Sequence, residues 1–584
     1  MTDTSRRSFI RTVAAGTLAV GGLSHAADRP DGDDDGHDDH QRTAHRPAFL
    51  HGVASGDPLQ DRVMLWTRVT PPAQASGEDG SHDDDREPRR LALHWQVARD
   101  AEFRSIVAHG QVRTSALTDH TAKVDAGGLR AGTTYWFRFR CKGVWSPVGR
   151  TRTLPRGGVS QVRLAVFSCS NYPAGHFNAY GAAAQLAHVD AAVHLGDYIY
   201  EYGRGQYASQ QAAALGREVL PAGELLTLAD YRARYAQYRT DADLQALHAA
   251  MPLIAVWDDH EIANDTWSDG AENHDPATEG DWQQRRAAAI QAYHEWMPTR
   301  LPDPQRPDRI YRSFDFGDLL SLHMLDTRVI GRDRQMAVSD YVGATGFDAA
   351  RYAADLAAPG RQLLGIEQQQ WLIGQMARST ARWQVLGQQV LMARMNVPAP
   401  LLLGQISVSG YAALAARAAS APQTLSAAEL AILRAPSIPY NLDAWDGYAV
   451  AREQLLGAAF GLDKNLVVLA GDTHNAWASD LTDFGGRPVG VEFATPSVSS
   501  PGFETIFPNE NPQFFAAALQ QLIGPLVYAD TSRRGYLVID ATPEAVQAQW
   551  HFVETIARHD LTVQVGPTLR TRAGVDGRRI EPTA

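Results

Sequence analysis

The amino-acid sequence predicts a small antiparallel β-sandwich followed by an α/β domain built on mixed sheets. Three observations predict this order. Between Phe49 and about Thr153, short strands of alternating polarity are split by turn signals. After Gly157-Gly158 the strands become short, wholly apolar runs separated by helical stretches, as expected of strands buried on both faces. A chain of 584 residues also exceeds what a single core ordinarily organises, so more than one domain is expected.

The chain opens with Ser5-Arg6-Arg7-Ser8-Phe9-Ile10-Arg11, a weakly apolar run from Thr12 to Leu23, and Ser24-His25-Ala26. Paired arginines, a mild apolar core and a small-residue end are the parts of a twin-arginine export signal over residues 1–26. This predicts recognition by the twin-arginine machinery and a periplasmic or secreted protein. Residues 27–46 are rich in Asp and His and read as a disordered linker. No later stretch is long and apolar enough for a membrane span. The net charge of −12 argues against a nucleic-acid-binding surface.

Residues 47–156 read as the sandwich, of fibronectin-like or immunoglobulin-like kind. Its strands are Val63 to Val69, Leu91 to Val97 and Thr134 to Arg140, with Gly77 to Arg90 as a charged loop. The chain has two cysteines, too few for a disulfide framework; Cys141 ends the third strand and reads as a packed thiol.

Residues 157–555 read as the α/β domain. Its strand runs are Val162 to Phe167, Ala191 to His194, Leu253 to Trp257, Leu319 to Leu325, Trp383 to Leu391 and Leu466 to Ala470. Leu401 to Ala435 is Ala/Leu-rich and reads as helices capping a sheet. Two late strands, Gly535 to Asp540 and Ala545 to Val553, flank a turn at Thr542-Pro543-Glu544; residues 556–584 form a tail without strong apolar periodicity.

Four of the apolar runs end in metal-ligand chemistry. These tips are Cys169, Asp197 with Tyr200, the run Asp258-Asp259-His260-Glu261-Ile262-Ala263-Asn264-Asp265, and Gly471-Asp472-Thr473-His474. Functional groups in open α/β sheets gather at the carboxyl ends of the strands, so four such tips point to a polynuclear metal site.

Phe49-Leu50-His51-Gly52-Val53-Ala54-Ser55-Gly56-Asp57-Pro58 with Met64-Leu65-Trp66-Thr67-Arg68 resembles the opening of PhoD-type alkaline phosphatases. Ser168-Cys169-Ser170, Leu195-Gly196-Asp197-Tyr198-Ile199-Tyr200-Glu201, Asp258-Asp259-His260-Glu261 and Gly471-Asp472-Thr473-His474 resemble that family's catalytic motifs, in the same order. The resemblance implies a calcineurin-like metallophosphatase sandwich of two mixed sheets flanked by helices, with an iron(III) and calcium centre. Carried over, iron would be held by Cys169, Asp197, Tyr200 and His474, and calcium by Asp197, Asn264 and Asp472. Thiolate and phenolate suit a ferric ion, hard oxygens suit calcium.

The implied reaction is hydrolysis of a phosphate monoester or diester by a metal-bridging oxygen attacking phosphorus. The same resemblance covers phospholipase D-like enzymes, which makes a phospholipid a second substrate class. A non-catalytic exported metal-binding protein is the remote alternative. His260 would protonate the leaving alkoxide, or support the metals from behind; Asp259 would be a ligand or a hydrogen-bond partner. Arg328 would clamp a phosphate or pair with Asp326. The tail would either restrict the site or be a disordered end.

Overall fold

The computed structural model describes residues 47–71, 90–344 and 346–583. The export signal, the acidic linker and most of the charged loop before Arg90 lie outside the described residues.

Two mixed sheets pack face to face. One has ten strands, in the order Glu581–Pro582, Val563–Arg572, Ala545–Val553, Gly535–Ala541, Val162–Phe167, Ala191–His194, Leu253–Ala255, Val53–Gly56, Arg62–Arg68, Thr121–Gly127. The other has seven, in the order Arg312–Phe316, Leu320–Met324, Trp383–Gly387, Asn465–Ala470, Pro488–Ala494, Ala476–Thr482, Leu526–Asp530. The middle strands of each run parallel, which is why their sequences are short apolar runs without alternation.

A shared core between the sheets contains Val166, Val193 and Ile254 from one and Leu322, Val385, Val467 and Phe493 from the other. Indole nitrogens stitch the layers together: Trp383 Nε1 donates to the Thr542 carbonyl at 2.7 Å and Trp550 Nε1 to the Ala494 carbonyl at 3.0 Å. Helices Leu228–Tyr238 and Ala242–Ala250 extend this core beyond the ten-stranded sheet, and Gly365–Arg378, Ala449–Gly461 and Pro512–Leu522 cover the outer face of the seven-stranded one. The Ala/Leu-rich stretch forms helices Val408–Ser420 and Ala427–Arg434.

The N-terminal strands divide between two sheets. Leu91–Ala98, Ile106–Thr114, Thr134–Cys141, Val144–Trp145 and Gly149–Arg152 make a five-stranded antiparallel sheet. Val53–Gly56, Arg62–Arg68 and Thr121–Gly127 instead join the ten-stranded sheet beside Leu253–Ala255. The strand Arg62–Arg68 is buried at five consecutive residues, a central strand's signature rather than an alternating one. Asp57 seals this junction: its carboxylate accepts from Arg312 Nε at 2.8 Å and from a terminal guanidinium nitrogen at 2.6 Å, both residues buried.

The tail completes the ten-stranded sheet. Val563–Arg572 pairs with Ala545–Val553, and Glu581–Pro582 pairs at the edge opposite the four strand tips. An edge strand is held by its backbone ladder and needs no apolar alternation. Cys141 lies in the core of the five-stranded sheet, and both cysteines are free.

Candidate active site

Three adjacent parallel strands of one sheet, Val162–Phe167, Ala191–His194 and Leu253–Ala255, and one strand of the other, Asn465–Ala470, end at a common edge. Two glycines let the tips meet. A Cβ on Gly196 would collide with the Asp258 backbone, and one on Gly471 with the Ser168 side chain. The tips are then tied by hydrogen bonds: Cys169 N–H to Gly196 O at 3.2 Å, Ser170 N–H to Asp197 O at 2.9 Å, and Asp472 N–H to Ser168 Oγ at 3.4 Å.

Cys169, Asp197, Asp472 and His474 all adopt left-handed backbone, with φ of 61°, 57°, 61° and 60°. That conformation costs a non-glycine residue about 1 kcal/mol or more, and it is retained because it turns each donor inward off its strand end.

The ligand atoms of Cys169, Asp197 and His474 lie within 4.8 Å of one another. Tyr200 joins them, its phenol 3.0 Å from Asp197 Oδ2, 3.3 Å from His474 Nε2 and 2.6 Å from Ser500 Oγ. His474 donates from Nδ1 to the Pro501 carbonyl at 2.8 Å, which leaves Nε2 with its lone pair toward the cluster. Burial pulls His474 down to about 3, so it is the neutral imidazole a cation requires. Burial, then the neighbouring Asp197, pushes the Cys169 thiol well up, and burial pushes Asp197 up as well. A bare cluster therefore holds protons that a cation would displace. Among the described residues, Asp197 Oδ1 and Asp258 Oδ2 are buried without a hydrogen-bond partner, which fits donors aimed at an ion.

A second group, Asp258, Asp259 and Asp472, and a third, Asp197, Asp259 and His260, meet within the same 4.8 Å limit. The buried Arg328 guanidinium threads between the carboxylates, paired with Asp258, with Asp443 at 2.8 Å, Asp472 at 3.3 Å and Asp259 at 3.5 Å. Asp326 instead accepts the Arg328 backbone N–H at 2.9 Å, so the two side chains are not an ion pair. Burial favours the neutral acid at Asp259, but Arg328 and His260 outweigh it and lower its pKa. One Asp259 oxygen takes the Asp265 N–H at 2.6 Å while the other faces the group. Asn264 donates its backbone N–H to Glu201 at 2.8 Å and its amide to Glu272 at 3.0 Å, which leaves the amide oxygen as the atom it has to offer a cation.

His260 is gripped from both sides. Its Nδ1 is 2.7 Å from Glu201 Oε2, and its ring stacks on Tyr200 with centroids 4.3 Å apart. Glu201 Oε1 accepts in turn from the Asn264 backbone and from Asn273 Nδ2, each at 2.8 Å. Burial opposes charge on His260, but Glu201, Asp197 and Asp259 together hold it well above the ordinary value. Glu261 pins two tips at once, accepting from Asp197 N–H at 3.0 Å, Tyr198 N–H at 2.6 Å and Asp258 N–H at 2.8 Å.

All eight residues singled out from the sequence thus stand on this edge or on the loops leaving it, Asn264 turned partly aside to Glu272. Glu201, Asp258 and Glu261 lay inside the motifs without an assigned role. Asp443, far along the chain in a loop of unremarkable composition, had no local signal.

The profile of the PhoD-like phosphatase family matches residues 164–550, and that of the PhoD-like phosphatase N-terminal domain matches residues 35–155. Alkaline phosphatase D of Bacillus subtilis (strain 168) is 35% identical over 539 residues, covering 90% of this chain and 80% of the relative. A solved structure described as that of PhoD is similar with a TM-score of 0.72 at 32% identity, covering 92% of both chains.

Proposed function

Because the chain belongs to the PhoD-like phosphatase family and so to the phosphoesterase hydrolases, we propose that it is an exported, metal-dependent enzyme that cleaves phosphate monoesters or diesters at the strand-tip cluster. One observation carries the reading: ligand atoms of Cys169, Asp197 and His474 converge within 4.8 Å of one another, and one buried oxygen of that same Asp197 has no hydrogen-bond partner among the described residues. Thiol, phenol, carboxyl and imidazole at one point are the donor set for iron(III), with Cys169, Asp197, Tyr200 and His474 as ligands. The all-oxygen set of Asp197, Asp472 and Asn264 is that for calcium, with Asp258 and Asp259 beside it. When bound, such cations supply Lewis-acid activation of water and charge neutralisation at phosphorus.

The chain's own residues do the rest. Arg328 holds Asp258, Asp259, Asp443 and Asp472 in register against their mutual repulsion, which makes it a scaffold for the carboxylates. Glu201 keeps Nδ1 of His260 occupied, so that Nε2 is the nitrogen presented to a leaving alkoxide.

Metal content and colour test the assignment. Purified protein should contain iron and calcium and show a visible charge-transfer band. Tyr200→Phe should shift or abolish the band, and Cys169→Ala should lower iron content by most of its value with activity following. Colourless active protein that contains zinc and survives Cys169→Ala would replace the iron-calcium centre with an ordinary dinuclear one.

A further inference from the structure

The outer face of the five-stranded N-terminal sheet is basic in a protein of net charge −12. Cross-strand pairing sets Arg113 beside Ala92, then Gln111, His94 and Arg140 in the next row, then His109, Gln96 and Arg138. Lys142 follows in the hairpin, and Trp145 stands opposite Arg140. The four strands Leu91–Ala98, Ile106–Thr114, Thr134–Cys141 and Val144–Trp145 carry no aspartate or glutamate. Arg113, Arg140 and Lys142 are exposed. Among the described residues none of the three has a carboxylate partner.

Arg138 is clamped between aromatic rings, its guanidinium carbon 3.9 Å from the Phe103 centroid and 3.8 Å from that of Trp145. Its Nε and a terminal nitrogen donate to Gln96 Oε1 at 3.1 and 2.9 Å. The charge is thereby held flush with the sheet instead of reaching into solvent. Trp145 remains 37% exposed over it, and Arg140 sits 5.3 Å from the same ring. A cavity of about 490 Å³ beside these residues is lined by Arg90, His94, Arg140 and Lys142.

We infer that this face docks the enzyme on an anionic lipid bilayer. Cations on two strands and a hairpin, set on either side of the intervening strand Leu91–Ala98, form a two-dimensional array that matches a plane of negative headgroups better than a single polymer, which would need them along one groove. An exposed tryptophan with arginines level beside it is the chemistry of the membrane–water interface. The acidic excess of the rest of the chain is repelled by the same plane, which favours approach by this face. The inference is independent of the reaction proposed above.

Sedimentation of the full chain with vesicles tests it, and screening by the acidic loop before Arg90 is then included in the measurement. The protein should pellet with phosphatidylglycerol–phosphatidylcholine vesicles, not with phosphatidylcholine alone, and salt should release it. Arg113→Gln/Arg140→Gln/Lys142→Gln should lower partitioning about a hundredfold, and Trp145→Ala several-fold, with thermal unfolding and phosphatase activity unchanged. Failure to bind phosphatidylglycerol vesicles at low salt, equal binding to both vesicle types, or undiminished binding by the triple variant overturns it. So does capture by soluble inorganic polyphosphate that the vesicles fail to compete, which would make the face a polyanion groove.

Discussion

In the proposed reaction, proton supply to the departing alkoxide is assigned to His260, because it is the site's only described imidazole whose Nδ1 is locked to a carboxylate and whose ring is stacked in place. His474, by contrast, is held neutral with its lone pair toward the cluster. Two histidines a short distance apart thus have opposite protonation, set by Glu201 for one and by burial for the other. The consequence is measurable through the leaving group. His260→Asn should lower kcat/KM for an alkyl phosphate roughly a hundredfold, and for 4-nitrophenyl phosphate less than about tenfold, since nitrophenolate departs without a proton. Glu201→Gln should fall between, with the same preference. Equal losses on both esters would move His260 from proton donor to support for the metals.

Beneath the tips, the strand Ala191–His194 carries a buried histidine that titrates with the fold. His194 Nδ1 accepts the Gly196 N–H at 3.3 Å and its other nitrogen meets the Tyr180 phenol at 2.7 Å, so a second ring proton would point at an N–H. Burial pulls it down to about 3 from 6.5. A lowered basic group adds stability in full above about pH 6.5, and that contribution is lost as pH falls toward 3. Between pH 7 and 5 the wild type should lose about 2 kcal/mol more unfolding free energy than His194→Gln, by urea titration at each pH. Parallel slopes would show that His194 is not the group titrating. The histidine was visible in the sequence only as the end of an apolar strand; its burial and its phenol partner come from a helix packed over the sheet. The same limit ran through other elements. The four tips were legible because an apolar run that stops at Gly-Asp, Asp-Asp or Ser-Cys announces both the strand and its end. Which sheet Arg62–Arg68 would join was not, since pairing with Val53–Gly56 and Thr121–Gly127 is decided by tertiary contact. Asp443 was out of reach for the same reason, its place in the cluster set by Arg328 and Arg332 across the fold.

At the scale of the whole molecule, the ten-stranded sheet draws on both ends of the chain. Val53–Gly56 sits beside Leu253–Ala255, and Gly535–Ala541 beside Val162–Phe167. The candidate cation donors likewise come from four distant segments, so neither sheet nor candidate site exists until these segments are all made. Pairings this non-local form slowly, and a metal that binds only the assembled donors is loaded into a folded protein. A route that threads unfolded chain would deliver the protein without its metals. On the proposed export reading, the paired arginines Arg6-Arg7 ahead of a weakly apolar run serve as the signal for the route that carries folded cargo. Replacing both by lysine should leave active, metal-loaded enzyme in the cytoplasmic fraction, with the exported fraction falling at least about tenfold. Inactive protein degraded inside the cell would argue that folding waits for export, and undiminished export of active enzyme would remove the twin-arginine reading.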